Sequence, residues 1–151
     1  MFEAIINYSG NAPVDNNNID AGFCQRTAPN GKKYTYTMSQ PYGSADWMPV
    51  KQILTDKADS VKVHITTTAP SKVASQGKLK KETNVTGGKI RYEWESNYPI
   101  AYYLISFAVG EYSTYTLNAN VAGKVVPIVN YLYDNASITA NQANLNQTKL
   151  T

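Results

Sequence analysis

Alternation of apolar and polar side chains recurs along this chain, and it predicts strands rather than helices. In Val61-Lys62-Val63-His64-Ile65-Thr66 the period is two, which places Val61, Val63 and Ile65 on one buried face. Tyr34-Thr35-Tyr36-Thr37-Met38 alternates in the same way. Turn signals then divide the alternating runs into hairpins. Ala21–Thr27 and Lys33–Met38 flank Pro29-Asn30-Gly31, and an Asn-Gly pair tolerates the positive φ that a tight hairpin needs. Lys78–Asn84 and Lys89–Ser96 flank Gly87-Gly88, and Tyr112–Val121 and Lys124–Tyr133 flank Ala122-Gly123. Phe2–Tyr8 predicts a further short strand, followed by a loop rich in Asn, Asp, Gly and Pro. Ile100–Tyr112 is the most apolar run, and its pattern predicts one central strand. No helix of ordinary length is expected before Asp134. Beyond it the segment turns poor in β-branched and aromatic residues, and Ser137 would cap a helix with Ile138, Ala140, Leu145 and Leu150 as its apolar positions.

Gln40–Lys57 breaks this rhythm. Trp47, Met48, Val50, Ile53 and Leu54 are interleaved there with Pro41, Gly43, Asp46, Pro49 and Asp56, a mixture that suits a packed, ordered loop. Loops held down by their own aromatic residues are common seats of function. The expected fold class is therefore all-β, a mostly antiparallel sandwich with the start of a helix at the C-terminus.

Composition sharpens this picture. A chain of 151 residues with 42% hydrophobic content suits one domain with a real core, and its 12 tyrosines belong to the vocabulary of half-buried pleated surfaces. The formal charge of +3 is scattered apart from Lys78-Leu79-Lys80-Lys81, which lacks the arginines and interleaved aromatics of a nucleic-acid surface and reads as a solvated strand end. No nucleic-acid partner is expected. No run approaches the roughly 20 apolar residues of a membrane-spanning helix, and the bias towards Tyr, Asn and Thr leans towards export.

Candidate chemistry is sparse. His64 is the one histidine, too few for a zinc site built on two, and it shares a strand face with Lys62 and Thr66. Cys24 is the one cysteine, so an internal disulfide is excluded and a small buried hydrophobe is expected. Glu93 and Glu95 lie two apart on one strand face, where solvation explains them better than an acid-base pair. Gly87-Gly88 is a turn and not a phosphate cradle. No residue of this chain is expected to be catalytic or to ligate metal.

Three segments carry a family resemblance: SQPYGSADWMPVKQILTDKADS at Ser39–Ser60, KVASQGKL at Lys72–Leu79, and YEWESNYPIAYYLISFAVGEY at Tyr92–Tyr112. In order and spacing they resemble the N-terminal domain of the gluzincin zinc aminopeptidases, the family of aminopeptidase N and leukotriene hydrolase. Pro49, Lys57 and Ala58 keep the family spacing, Ser75-Gln76-Gly77 stands for S-N-G, and Phe107-Ala108-Val109-Gly110 closes the apolar run. Val50 replaces the usual Cys, Asp46-Trp47 an Arg-rich part, and Gln52 a common Asp. The loop is most similar to the branch reading S-E-P-Y-G-x-x-D-W-x-P, with Gln40 in place of the Glu.

The resemblance implies a saddle-like β domain over residues 1–134, incomplete at its N-terminus, with 135–151 as a linker and the truncated start of a thermolysin-like catalytic domain. That domain would be this chain's partner within a longer protein. The longer protein would hold zinc through H-E-x-x-H and remove N-terminal residues from peptides, whereas this part alone would bind no zinc and be inactive. Gln40 falls on the position that helps bind the free α-amino group of a peptide substrate. A rival reading from the residues alone is a free-standing β-sandwich that binds carbohydrate or protein through exposed Tyr and Trp side chains.

Overall fold

A computed structural model describes residues 3–11 and 22–147. Eleven strands are present there: β1 (Phe23–Thr27), β2 (Lys33–Thr37), β3 (Lys57–Ala58), β4 (Val61–Thr68), β5 (Lys72–Ser75), β6 (Lys78–Val85), β7 (Lys89–Ser96), β8 (Ile100–Ala101), β9 (Phe107–Gly110), β10 (Ser113–Val121) and β11 (Lys124–Leu132), followed by helix α1 (Asn135–Gln147). A four-stranded sheet has the order β1-β2-β9-β5 and a three-stranded sheet the order β4-β7-β6, with β10-β11 and β3-β8 as separate pairs. Every pairing is antiparallel. The described residues are thus all-β, as the alternation predicts, with one helix at their C-terminal end.

The register explains where the core lies. Val63 pairs with Trp94 and Ile65 with Tyr92 across β4 and β7, while Leu79 of β6 meets Trp94 from the other side. These side chains form one face of the three-stranded sheet. Val73 of β5, Tyr92 and Trp94 are buried, and Val109 of β9 and Tyr131 of β11 close over them. The two larger sheets are therefore layered, with burial worth roughly 1.5–3 kcal/mol for each large apolar side chain. On the opposite face of β7, Glu95 sits 3.7 Å from Lys62 and 3.9 Å from Lys80, and Glu93 sits 3.1 Å from Arg91. A register shift between Leu79 and Lys81 leaves Lys80 unpaired in the ladder.

Three expectations are corrected. Glu3–Tyr8 is not a strand: Ile5 and Ile6 are exposed, and no ladder partner lies beside it among the described residues. Phe2, Ala21 and most of the following loop fall outside the described residues. Ile100–Tyr112 is not one strand either. β8 pairs with β3, a 3-10 turn at Tyr102–Leu104 follows, and β9 then lies between β2 and β5. A continuous apolar run signals burial without fixing the backbone, and here it is divided between two sheets. The helix is present, but its cap is Asp134, whose Oδ1 accepts a hydrogen bond from the Ser137 amide at 2.7 Å. Ser137 lies inside the first turn instead. Ile138 and Leu145 are half-buried, Ala140 is exposed, and Leu150 is outside the described residues.

Candidate functional site

The segment from Gln40 to Lys57 is an ordered loop, and its order comes from a few contacts at its N-terminal end. A 3-10 turn spans Gly43–Asp46 and lies against the turn at Tyr102–Leu104. The Gly43 amide donates to the Ser39 carbonyl at 3.0 Å, and the Trp47 and Met48 amides donate to the Ser44 carbonyl at 3.2 and 3.0 Å. The Asp46 carboxylate accepts from the Gly22 amide at 2.9 Å, which ties the turn to the entry of β1. Gly22 and Gly43 touch backbone to backbone: a Cβ on Gly22 would sit 1.6 Å from the Gly43 carbonyl oxygen. Only glycine allows that approach.

Trp47 completes the anchorage. Its Nε1 donates to the Ser39 hydroxyl at 3.1 Å, and its ring meets Phe107 edge-on at 5.3 Å and 82°. Phe107 packs in turn on Phe23 at 6.1 Å. An edge-to-face pair of this kind adds about 0.5–1.5 kcal/mol beyond area burial. Asp46 and Trp47, read from the sequence as departures from an Arg-rich pattern, are therefore the residues that fix the loop.

Gln40 sits at the start of this turn. Its neighbour Ser39 is buried, with its carbonyl and its hydroxyl both engaged, so the backbone position of Gln40 is set. The Gln40 side chain is exposed and makes no hydrogen bond to another described residue. It does not serve the loop's own backbone. What this arrangement offers chemically is an exposed side-chain amide on a fixed backbone position, with a carbonyl oxygen that can accept a hydrogen bond.

Other residues singled out from the sequence do not join it. Cys24 is fully buried in β1. His64 is exposed on β4 with its Nδ1 2.8 Å from the Arg91 guanidinium, a neighbour that opposes a metal cation. Among the described residues no three His, Cys, Asp or Glu side chains cluster as a metal site would require, so these residues do not fit zinc. No described helix is long and apolar enough to cross a membrane.

Sequence reasoning undervalued Gln76. Its Nε2 donates to the Leu104 carbonyl at 2.8 Å and to the Ser106 hydroxyl, while its Oε1 accepts from the Ser106 amide at 2.8 Å. The Ser75 hydroxyl reaches the Ser106 carbonyl at 2.7 Å. Gly77 follows at φ +82°, where a Cβ would lie 2.0 Å from the Glu95 carbonyl oxygen. This corner holds the link from β8 to β9, which carries Phe107 under Trp47. The signal was Ser75-Gln76-Gly77 itself, read only as a family pattern.

No family model and no curated protein matches the chain in sequence. Solved structures do match in fold. An M1 zinc metallopeptidase from Deinococcus radiodurans aligns with a TM-score of 0.58 at 20% identity, over 65% of this chain and 22% of that one. A mutant from the same organism, bound to a Tyr-Ser-Ala substrate, gives 0.57 at 21% identity over 64% of this chain and 22% of that one. A two-domain M1 zinc metallopeptidase mutant bound to L-arginine gives 0.64 at 21% identity, over 80% of this chain and 27% of that one. The chain thus spans about a quarter or less of the length of these enzymes. Over the matched region its fold is that of a segment of the M1 zinc metallopeptidases, the architecture implied by the motif order from Ser39 to Tyr112.

Proposed function

We propose that residues 1–134 are the non-catalytic N-terminal β domain of a zinc aminopeptidase, and that residues 135–151 lead into its thermolysin-like catalytic domain. The observation that carries this reading is the fold match to M1 zinc metallopeptidases, and in this chain the Gln40 loop is ordered and anchored. One of those relatives binds a tripeptide substrate and another a free amino acid, ligands that share a free amino group. In this reading the Gln40 loop forms one side of the substrate entrance. The Gln40 amide oxygen accepts one hydrogen bond from the substrate ammonium group. Zinc, which activates water for attack on the peptide bond, is held by residues of the catalytic domain and by none described here.

A neutral amide is a weaker anchor than a carboxylate, because it offers the ammonium group a dipole and no opposite charge. Kinetics of the intact enzyme test the role. Gln40→Glu should tighten substrates with a free amino terminus by about tenfold, equivalent to about 1.4 kcal/mol, and leave N-acetylated ligands unaffected. If Gln40→Glu and Gln40→Ala both leave the kinetics unchanged, Gln40 is not the amine anchor.

A further inference from the structure

Five tyrosines converge on one cavity that the Gln40 side chain does not line. Tyr34, Tyr36, Tyr112, Tyr131 and Tyr133 line a space of about 630 Å3, within the range of roughly 300–1,000 Å3 that small-molecule sites occupy. Strand geometry brings the rings together. Tyr34 and Tyr36 lie two apart on one face of β2 and stack at 5.8 Å and 16°. Tyr133 packs on Tyr34 at 5.0 Å, and Tyr112 meets Tyr131 at 6.0 Å and Tyr133 at 6.5 Å. The Asn30 side chain donates to the Tyr133 carbonyl at 2.8 Å and holds the end of β11 against the first hairpin. Met38, Ala108 and Leu132 add apolar wall, and helix α1 adds Ser137 and Asn141.

The lining selects a class of ligand. No charged side chain lies among the lining residues, so an ionic ligand would lose hydration and gain no counter-charge. A purely apolar ligand would fit the ring faces but leave tyrosine hydroxyls unpaired, while the Asn141 amide, whose Nδ2 donates to the Ser137 carbonyl at 2.9 Å, keeps its Oδ1 as an acceptor. The Tyr112 and Tyr131 hydroxyls make no hydrogen bond to another described residue. Burial pushes the Tyr112 phenol up to about 12, so it stays protonated and able to donate near neutral pH. A fitting ligand is neutral, with one apolar face for the rings and hydroxyls at its edge.

We propose that this tyrosine cavity is a binding subsite for a neutral pyranose sugar, its ring stacked on the tyrosine faces and its hydroxyls bonded to Tyr112, Tyr131 and Asn141. This inference stands independently of the role given to Gln40, and the two sites fail or hold separately.

Ring-labelled tyrosine NMR of the protein, titrated with the methyl glycosides of glucose, galactose, mannose and N-acetylglucosamine and with their linear trisaccharides, tests it. At least one sugar should shift Tyr112, Tyr131 and Tyr133 and leave the exposed Tyr98 unmoved, with a Kd on the order of 1 mM for a single ring. Binding of trisaccharides alone would identify a glycan as the source, and equal binding of the glycosides a free sugar. Tyr112→Phe keeps the ring and should weaken binding about tenfold. Asn141→Ala, on an exposed position of α1, should weaken it too and guards against a folding defect at the tyrosine. If no sugar shifts the cavity tyrosines, the cavity is not a sugar subsite.

Discussion

Replacing Gln76 with alanine should loosen the corner between the two larger sheets. The substitution removes bonds to the Leu104 carbonyl and the Ser106 hydroxyl and the bond received from the Ser106 amide. A net value of about 1 kcal/mol for each gives a first sum near 3 kcal/mol. Leu104 is 53% exposed, so water can replace the partner of its carbonyl. The Ser106 amide is only partly buried, which limits its own penalty. A loss of about 2–3 kcal/mol is therefore expected, a large share of the roughly 5–15 kcal/mol that holds a typical domain folded. Urea unfolding should show a lower midpoint at unchanged slope. Because Ser106 precedes Phe107, and Phe107 supports Trp47, the tryptophan emission should also shift. Gln142→Ala, on the exposed face of α1, is the control. If Gln76→Ala falls within about 0.5 kcal/mol of wild type, as an ordinary surface change does, the corner does not hold the sheets together.

Gly77→Ala should cost more than Gln76→Ala in the same assay, because it meets both the left-handed backbone and the 2.0 Å approach to Glu95; equal stability would refute the contact. Ser44 and Ser39 should behave oppositely. The fully buried Ser44 hydroxyl has no partner among the described residues, so Ser44→Ala should be neutral or stabilising, whereas Ser39→Ala removes the acceptor of Trp47 Nε1 and should cost about 1 kcal/mol. Tyr112 makes stability fall at high pH. Its folded value of about 12 lies above the ordinary 10.0, so its contribution is complete below pH 10.0 and is lost as pH rises towards about 12. Tyr112→Phe should flatten that part of the stability profile. Asp134 works in the other direction. Its bonds to Ser137 lower its carboxyl pKa, so helical circular dichroism should fade as pH falls through that lowered value, and Asp134→Ala should remove the dependence.

Hairpins were readable because each rests on a local signal. Asn30-Gly31, Gly87-Gly88 and Ala122-Gly123 fix turns, and the period of two fixes faces, as in the alternating burial of Val61–Thr68. The break within Ile100–Tyr112 was not readable, since an apolar run records only that it is covered. Which sheet covers each half depends on β2, β3 and β5, distant in sequence. The cap of α1 was misplaced by three residues because Asp134 and Ser137 are both good caps, and only the backbone decides between them. Spacing within the Ser39–Ser60 motif is what singles out Gln40. The anchorage of its loop was not readable, because Gly22, Asp46 and Phe107 meet there only in the folded chain. The tyrosine cavity left a faint trace in the paired spacings of Tyr34 with Tyr36 and Tyr131 with Tyr133.

Reading the coding transcript past Thr151 tests the proposed place of this domain most directly. The proposal predicts that the same frame continues through G-x-M-E-N into H-E-x-x-H, the segments that would complete an amine anchor with Gln40 and hold zinc. A stop codon immediately after Thr151 would contradict it and leave a free-standing β domain.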